Sequence, residues 1–231
     1  MRPPLAIIPL LLAFSAFPVS AQNIQRISGE VVPGAEWQQT SPESVGYSGA
    51  KLEAVRGWLK TQDTGSMMVI VQGRVIFSYG DVSHTSKIAS VRKSVLDMLY
   101  GAAVFKDKIN DADLNKTVNQ LGLDDKLPFL PIEENASLIQ LMASRSGIYM
   151  PTGNADQAKT MPPRGSEYPG SHFLYNNWDF GAVGTAFEKL TGKDIFRALQ
   201  DDLAMPLGMQ DFALSKQKKK NLHHHLQFNF Y

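Results

Sequence analysis

The sequence contains no cysteine. That rules out disulfides, thiolate catalysis and cysteine-ligated zinc, and it sets the chain apart from small secreted domains stapled by disulfides. A cysteine-free exported protein must rely on its core, which suits a bacterial envelope protein. An excess of charge is also missing. Lys and Arg number 23 against 22 Asp and Glu, a net charge of +1, a balance that argues for neither a nucleic-acid footprint nor a preference for acidic substrates. There is no Gly-x-Ser-x-Gly elbow, which argues against an α/β-hydrolase, and no His-Glu-x-x-His zinc signature. No internal repeat occurs. Beyond the N-terminus no segment is apolar enough to cross a membrane.

What remains is ordinary globular composition over 231 residues, 43% hydrophobic and 19% charged, enough for one good core or two lobes sharing an interface. Residues 1–21 have the pattern of a secretory signal peptide. Arg2 gives a positive start, Leu5–Phe14 is apolar but short and broken by Pro9, and Val19-Ser20-Ala21 supplies small residues before Gln22. A folded domain is expected over residues 22–214, exported to the periplasm or secreted. No stable membrane span remains after cleavage. Residues 215–231 change character: Lys216-Gln217-Lys218-Lys219-Lys220 is a basic run and His223-His224-His225 a histidine run, without helical or strand periodicity. The histidine run could bind a transition metal as any such run does, but it reads as adventitious.

Within the domain, Leu52, Val55, Trp58 and Leu59 recur at helical spacing, predicting a helix over Ser48–Lys60 with Ser48 as its cap. Met67–Val71 and Val75–Tyr79 flank Gln72-Gly73-Arg74 and predict a hairpin. Ser90–Phe105 reads as a helix burying Val91, Val95, Met98, Leu99, Ala102 and Phe105. Asn110–Pro131 reads as ordered loop with short turns. A short helix is expected over Ser137–Ala143, and loop through the Pro- and Gly-rich stretch 150–172. Two further helices follow, Trp178–Leu190 and Asp194–Met205, divided by Thr191-Gly192.

The chemistry starts from Ser-x-x-Lys. A serine hydroxyl needs a base within hydrogen-bond reach, and on a helix positions i and i+3 share a face. A lysine there takes the proton if burial or a neighbouring cation lowers its pKa. The spacing occurs three times: Ser48/Lys51, Ser90/Lys93 and Ser215/Lys218. Ser48 is a helix cap and Ser215 lies in the polar tail. Ser90 opens the most apolar helix, which makes Ser90 the candidate nucleophile and Lys93 its partner. A second constellation, Tyr175-Asn176-Asn177, opens a later helix. A tyrosine beside an ammonium can shuttle protons, and Asn177 can orient the lysine or hold a carbonyl. His172 with Asp179 raises a Ser-His-Asp triad, but a lone loop histidine reads as polar surface.

Ser90-Val91-Arg92-Lys93-Ser94, Leu141-Met142-Ala143-Ser144-Arg145-Ser146-Gly147-Ile148, Tyr175-Asn176-Asn177 and Pro206-Leu207-Gly208-Met209 occur in that order. Together they resemble the serine β-lactamase-related family, the class C β-lactamase, DD-peptidase and esterase group, from about Trp37 to Leu214. The Tyr-x-Asn is similar to the class C branch. The resemblance implies an α+β, β-lactamase/DD-peptidase-like fold, with a helical lobe packed on an antiparallel sheet. It implies that Ser90 forms an acyl-enzyme with a small-molecule or peptide substrate, that Lys93 and Tyr175 act together as base and then acid, and that Asn177 bonds Lys93 or the substrate. The Ser90 N–H would be one oxyanion donor. No metal or organic cofactor is implied.

One departure stands out. The family's third motif, Lys- or His-x-Gly on a later strand, has no counterpart. Lys189-Leu190-Thr191-Gly192 resembles it superficially but should end a helix. Later sheet strands are therefore expected to be missing, as in a truncated or frame-shifted product. Losing one oxyanion donor costs on the order of 10²–10³ in rate. The alternative function is a catalytically impaired remnant or binding protein of the same fold.

Overall fold

A computed structural model describes residues 31–151, 159–222 and 225–229, with side chains over 31–151 and 159–218. The expected signal peptide, His223 and His224 lie outside the described residues. The chain divides into two compact units, Met1–Ser83 and His84–Tyr231.

In the first unit, helix α1 (Gly49–Leu59) is capped by Ser48, whose hydroxyl accepts the N–H of Lys51 at 3.3 Å. Leu59 is buried, but Trp58 is 59% exposed and does not join the expected apolar face. Strands β1 (Ser66–Val71) and β2 (Arg74–Gly80) pair antiparallel. The turn residues Gln72 and Gly73 both have positive φ, 51° and 77°, the backbone twist that two-residue hairpins favour. At Gly73 a β-carbon would lie 1.8 Å from the Val31 carbonyl oxygen, so only glycine fits. The register slips between Val69 and Ile70, an irregularity that the alternation of the sequence does not announce.

The second unit is mostly helical. A 3-10 turn, Ala89–Val91, leads into α2 (Arg92–Phe105). Then come α3 (Asp111–Leu114), with a capping box between Asn110 and Asp113, and α4 (Leu138–Met142), with one between Ser137 and Gln140. Helix α5 (Asn177–Thr191) follows, capped by Asn176 and closed by Gly192 at φ 66°. Next, α6 (Ile195–Ala198) widens into a π turn, Leu199–Ala204. The Asp194–Met205 segment is thus two kinds of helix rather than one. It stops before Pro206, which has no N–H to continue a helix.

The core joins α2 to α5. Leu96, Leu99, Tyr100 and Ala103 are buried on α2, and Trp178, Ala182, Val183, Ala186 and Phe187 on α5. Val91, Met98 and Phe105, expected inside, are 62%, 51% and 88% exposed. Because α2 is apolar almost all round, its sequence leaves the inward stripe undetermined; the 96/99/100/103 stripe is the one that meets α5.

The tail forms a hairpin of β3 (Lys218–Leu222) and β4 (His225–Asn229), with β4 running beside α5. This corrects the expectation of a tail without regular structure. Leu226 and Phe228 alternate with Gln227 and Asn229, a period-2 signal only four residues long. Among the described residues no helix is long and apolar enough to cross a membrane.

Candidate active site

Ser90 lies in the 3-10 turn, and α2 itself starts at Arg92. This corrects the expectation that Ser90 opens the helix. Nor does a strand run directly into it, since β2 ends at Gly80. Ala89, immediately before Ser90, has φ +47°, a left-handed conformation that costs an alanine about 1–2 kcal/mol. No side chain caps α2. The Ser90 hydroxyl is turned to two other partners: its Oγ lies 2.9 Å from the Tyr175 hydroxyl and accepts from Lys93 Nζ at 3.2 Å.

Lys93 sits in the first turn of α2, three residues on, so it shares the face of Ser90. Its Nζ donates to Ser90 Oγ, to the Tyr175 hydroxyl and, at 2.8 Å, to Asn177 Oδ1. These three bonds use all three donors of an ammonium. The same nitrogen stands 4.6 Å from the centre of the Tyr175 ring and 5.0 Å from that of Phe180, within cation–π range.

Tyr175 lies in the irregular segment just before α5, and Asn177 is the first residue of that helix. Between them Asn176 has extended φ and ψ of −129° and 122°, so residues 175 and 177 point one way and 176 the other. All four sequence candidates, Ser90, Lys93, Tyr175 and Asn177, therefore meet in one cluster, with Tyr175 43% exposed at its mouth.

The electrostatics of the cluster suit proton transfer. Burial lowers the Lys93 pKa from its ordinary value, as does the nearby Arg92 charge, while the hydrogen bond and charge of Tyr175 oppose this. Burial works to raise the Tyr175 phenol. The hydrogen bonds from Lys93 and Ser90 and the charges of Lys93 and Arg92 outweigh it, and the net direction is down. With both pKa values lowered, the Lys93 amine and the Tyr175 phenolate are each less basic than usual, so a larger share of each is free to accept a proton near neutral pH.

A cavity of about 360 Å³ adjoins Lys93, lined also by Ser94, Leu96, Asp97, Met142, Phe180 and Val183. Sequence reasoning did not locate it.

The remaining sequence candidates fall elsewhere. His172 is exposed. Asp179 is fully buried, and the hydroxyl of Ser146 donates to it at 2.7 Å. Lys189-Leu190-Thr191-Gly192 closes α5, as its helix-ending composition implied. Ser215 belongs to a short 3-10 turn and Lys218 to β3, so that pair has no common helix.

What the sequence reading missed is the part played by Asn176, Ser146 and Asp179. Asn176 is 1% exposed; it accepts the Trp178 N–H at 3.0 Å and donates to the Ile148 carbonyl at 2.8 Å. Its place between two candidate residues was the available signal. Asp179 offered another, an acidic residue in the first turn of a helix.

Burial pushes the Asp179 carboxyl well above its usual range, with the Ser146 hydrogen bond opposing. An unfolded aspartate loses its proton at about pH 3.9, and the native one keeps it to higher pH. Between those values the native state binds more protons, so stability falls as pH rises and levels off above the native pKa. Urea denaturation of the wild type and of Asp179→Asn, from about pH 4 upward, is expected to show the wild type losing stability relative to the variant. A difference independent of pH would show that the carboxyl titrates normally.

Comparisons with known proteins agree with this architecture. The family model described as Beta-lactamase matches residues 59–225. Among solved structures, FmtA from Staphylococcus aureus is 18% identical, with a TM-score of 0.52 over 85% of this chain and 61% of that one. A class C beta-lactamase in complex with cefoxitin is 19% identical, with a TM-score of 0.50 over 69% of this chain and 50% of that one. The chain spans between 41% and 61% of the length of five structures it matches. No curated protein matches it. A helical unit built around the Ser90–Lys93–Tyr175–Asn177 cluster, an α+β fold shared with these structures and a family model covering most of its length agree: the chain belongs to the beta-lactamase family.

Proposed function

We propose that the protein is an exported serine hydrolase that acts through an acyl-enzyme on an ester, amide or β-lactam carbonyl. The observation that carries this reading is the convergence on Ser90 Oγ of Tyr175 at 2.9 Å and Lys93 at 3.2 Å. A serine with two such neighbours has somewhere to send its proton as it attacks.

In the proposed reaction Ser90 Oγ bonds to the substrate carbonyl carbon while its proton passes to the Tyr175–Lys93 pair. The Ser90 N–H faces the developing oxyanion. The tetrahedral intermediate collapses by breaking the bond to the leaving oxygen or nitrogen, which takes that proton back from the pair. Water then repeats the cycle: it gives a proton to the pair, attacks the acyl carbon and releases the acid, and Ser90 recovers its proton. Asn177 holds Lys93 in place throughout. The choice among carbonyl substrates would lie with the surfaces around the mouth of the cluster.

The test is covalent labelling of the purified chain by a fluorophosphonate and by a fluorescent penicillin. Stable labelling that disappears in Ser90→Ala is expected. A chain shown to be folded by circular dichroism that takes up neither probe would overturn the hydrolase and leave a binding protein of the same fold.

A further inference from the structure

We propose that the loop Ser144–Ile148 is a buried clamp that aims Tyr175 and Asn177 at Lys93, and that Ser146 and Asp179 are the positioning residues that close it. The inference rests on the hydrolase reading for its kinetic consequence, though the clamp itself is a matter of geometry.

The loop grips the Tyr175 segment on both sides. Upstream, the Leu174 N–H donates to the Ser144 carbonyl at 2.9 Å. Downstream, the Asn176 side-chain amide donates to the Ile148 carbonyl at 2.8 Å. The even-numbered residues 174 and 176 are therefore tied to the clamp, and the odd-numbered 175 and 177 are left facing Lys93. A third tie runs from Ser146. Its hydroxyl donates to Asp179 at 2.7 Å and accepts the Ile148 N–H at 3.0 Å. That bond pins the loop to the first turn of α5, the same turn that carries Asn177.

The clamp is also tense and enclosed. Ser144 is 3% exposed with φ +53°, a left-handed conformation that serine rarely takes. Gly147 has φ +70°, and a β-carbon there would lie 2.7 Å from the Glu167 carbonyl oxygen. Backbone strain of this kind persists where surrounding bonds over-determine it, and it gathers at functional sites. Ser146, Asn176 and Asp179 are each at least 98% buried. Buried polar groups with all their partners in place specify one arrangement; removing a partner frees the others to rearrange.

Two readouts test this. The first is the rate constant of fluorophosphonate acylation, separated from the affinity of the initial encounter. The second is the pH titration of the Tyr175 ring by carbon-13 NMR of labelled tyrosine, which reads its closeness to Lys93 and Arg92 on α2 without any reaction. In Asp179→Ala and Ser146→Ala the acylation constant is expected to fall on the order of 10²-fold, with little change in encounter affinity. The Tyr175 titration should move up toward that of free tyrosine. Asp179→Asn keeps an oxygen for Ser146 to donate to, and should retain both wild-type values.

Wild-type acylation and an unmoved titration in the two alanine variants would overturn the clamp. So would a loss in Asp179→Asn equal to that in Asp179→Ala, which would assign the effect to packing alone. If Asp179→Ala does not fold, Ser146→Ala cuts the same bond from its exchangeable side and decides. A wild-type chain that is not labelled, yet whose Tyr175 titration moves in the alanine variants, would sink the hydrolase and leave the clamp standing.

Discussion

Lys93→Met is expected to lower the acylation rate of Ser90 by about 10²- to 10⁴-fold, the usual worth of a positioned proton-transfer group. Three hydrogen bonds vanish together, to Ser90 Oγ, the Tyr175 hydroxyl and Asn177 Oδ1. Methionine keeps the length and apolar stem of lysine, so the side of the cavity next to Phe180 stays filled. The Tyr175 phenol also loses the neighbour that does most to lower its pKa, and its titration should rise. Lys93→Arg should not restore the rate. A guanidinium keeps its proton and carries its donors in a flat fork rather than on a compact head. Stopped-flow acylation by the fluorophosphonate checks both variants, and Lys51→Met provides the control, because Lys51 belongs to the Ser-x-x-Lys spacing that only caps α1. Equal rates for wild type and Lys93→Met would remove lysine from the proposed proton path.

Phe187→Ala is expected to destabilise the fold by about 3–5 kcal/mol, a large part of the roughly 5–15 kcal/mol that holds a typical domain together. Phe187 is 1% exposed, and its ring meets Tyr100 edge to face with centroids 5.3 Å apart and planes at 70°. The Tyr100 hydroxyl in turn donates to the Val183 carbonyl at 2.8 Å. Truncation leaves a cavity and deprives Tyr100 of its aromatic partner at the junction of α2 and α5. Those two helices carry the two halves of the cluster, Lys93 on one and Asn177 on the other. A variant that still folds in the cold should therefore acylate more slowly as well as melt earlier. Urea denaturation gives the first effect. A midpoint within about 1 kcal/mol of wild type would mean the core closes over the gap, as well-adapting sites do.

The two effects touch because the site is assembled from segments 82 to 85 residues apart in sequence. Each half was legible alone. Ser90 and Lys93 share a helical face by spacing, and Tyr175 and Asn177 flank a helix cap. Helix periodicity located α1, α2 and α5 nearly to the residue, because a 3.6-residue repeat is a local property. The Gln72-Gly73 turn was legible for the same reason. Three Ser-x-x-Lys spacings looked alike as strings, and their context in the chain, a helix cap, a polar tail and an apolar helix, separated Ser90 from Ser48 and Ser215.

What the sequence determined by itself was the family resemblance, the main helices and the four residues of the cluster, all carried by spacings of a few positions. The tertiary structure alone decided which stripe of α2 faces inward, since a helix apolar on most sides has no preferred face until another packs on it. It alone placed Ser90 in a strained turn ahead of its helix rather than at its start. It alone showed that Asn176, Ser146 and Asp179 tie Tyr175 down, because bonds between distant loops leave no periodic trace in the chain that makes them.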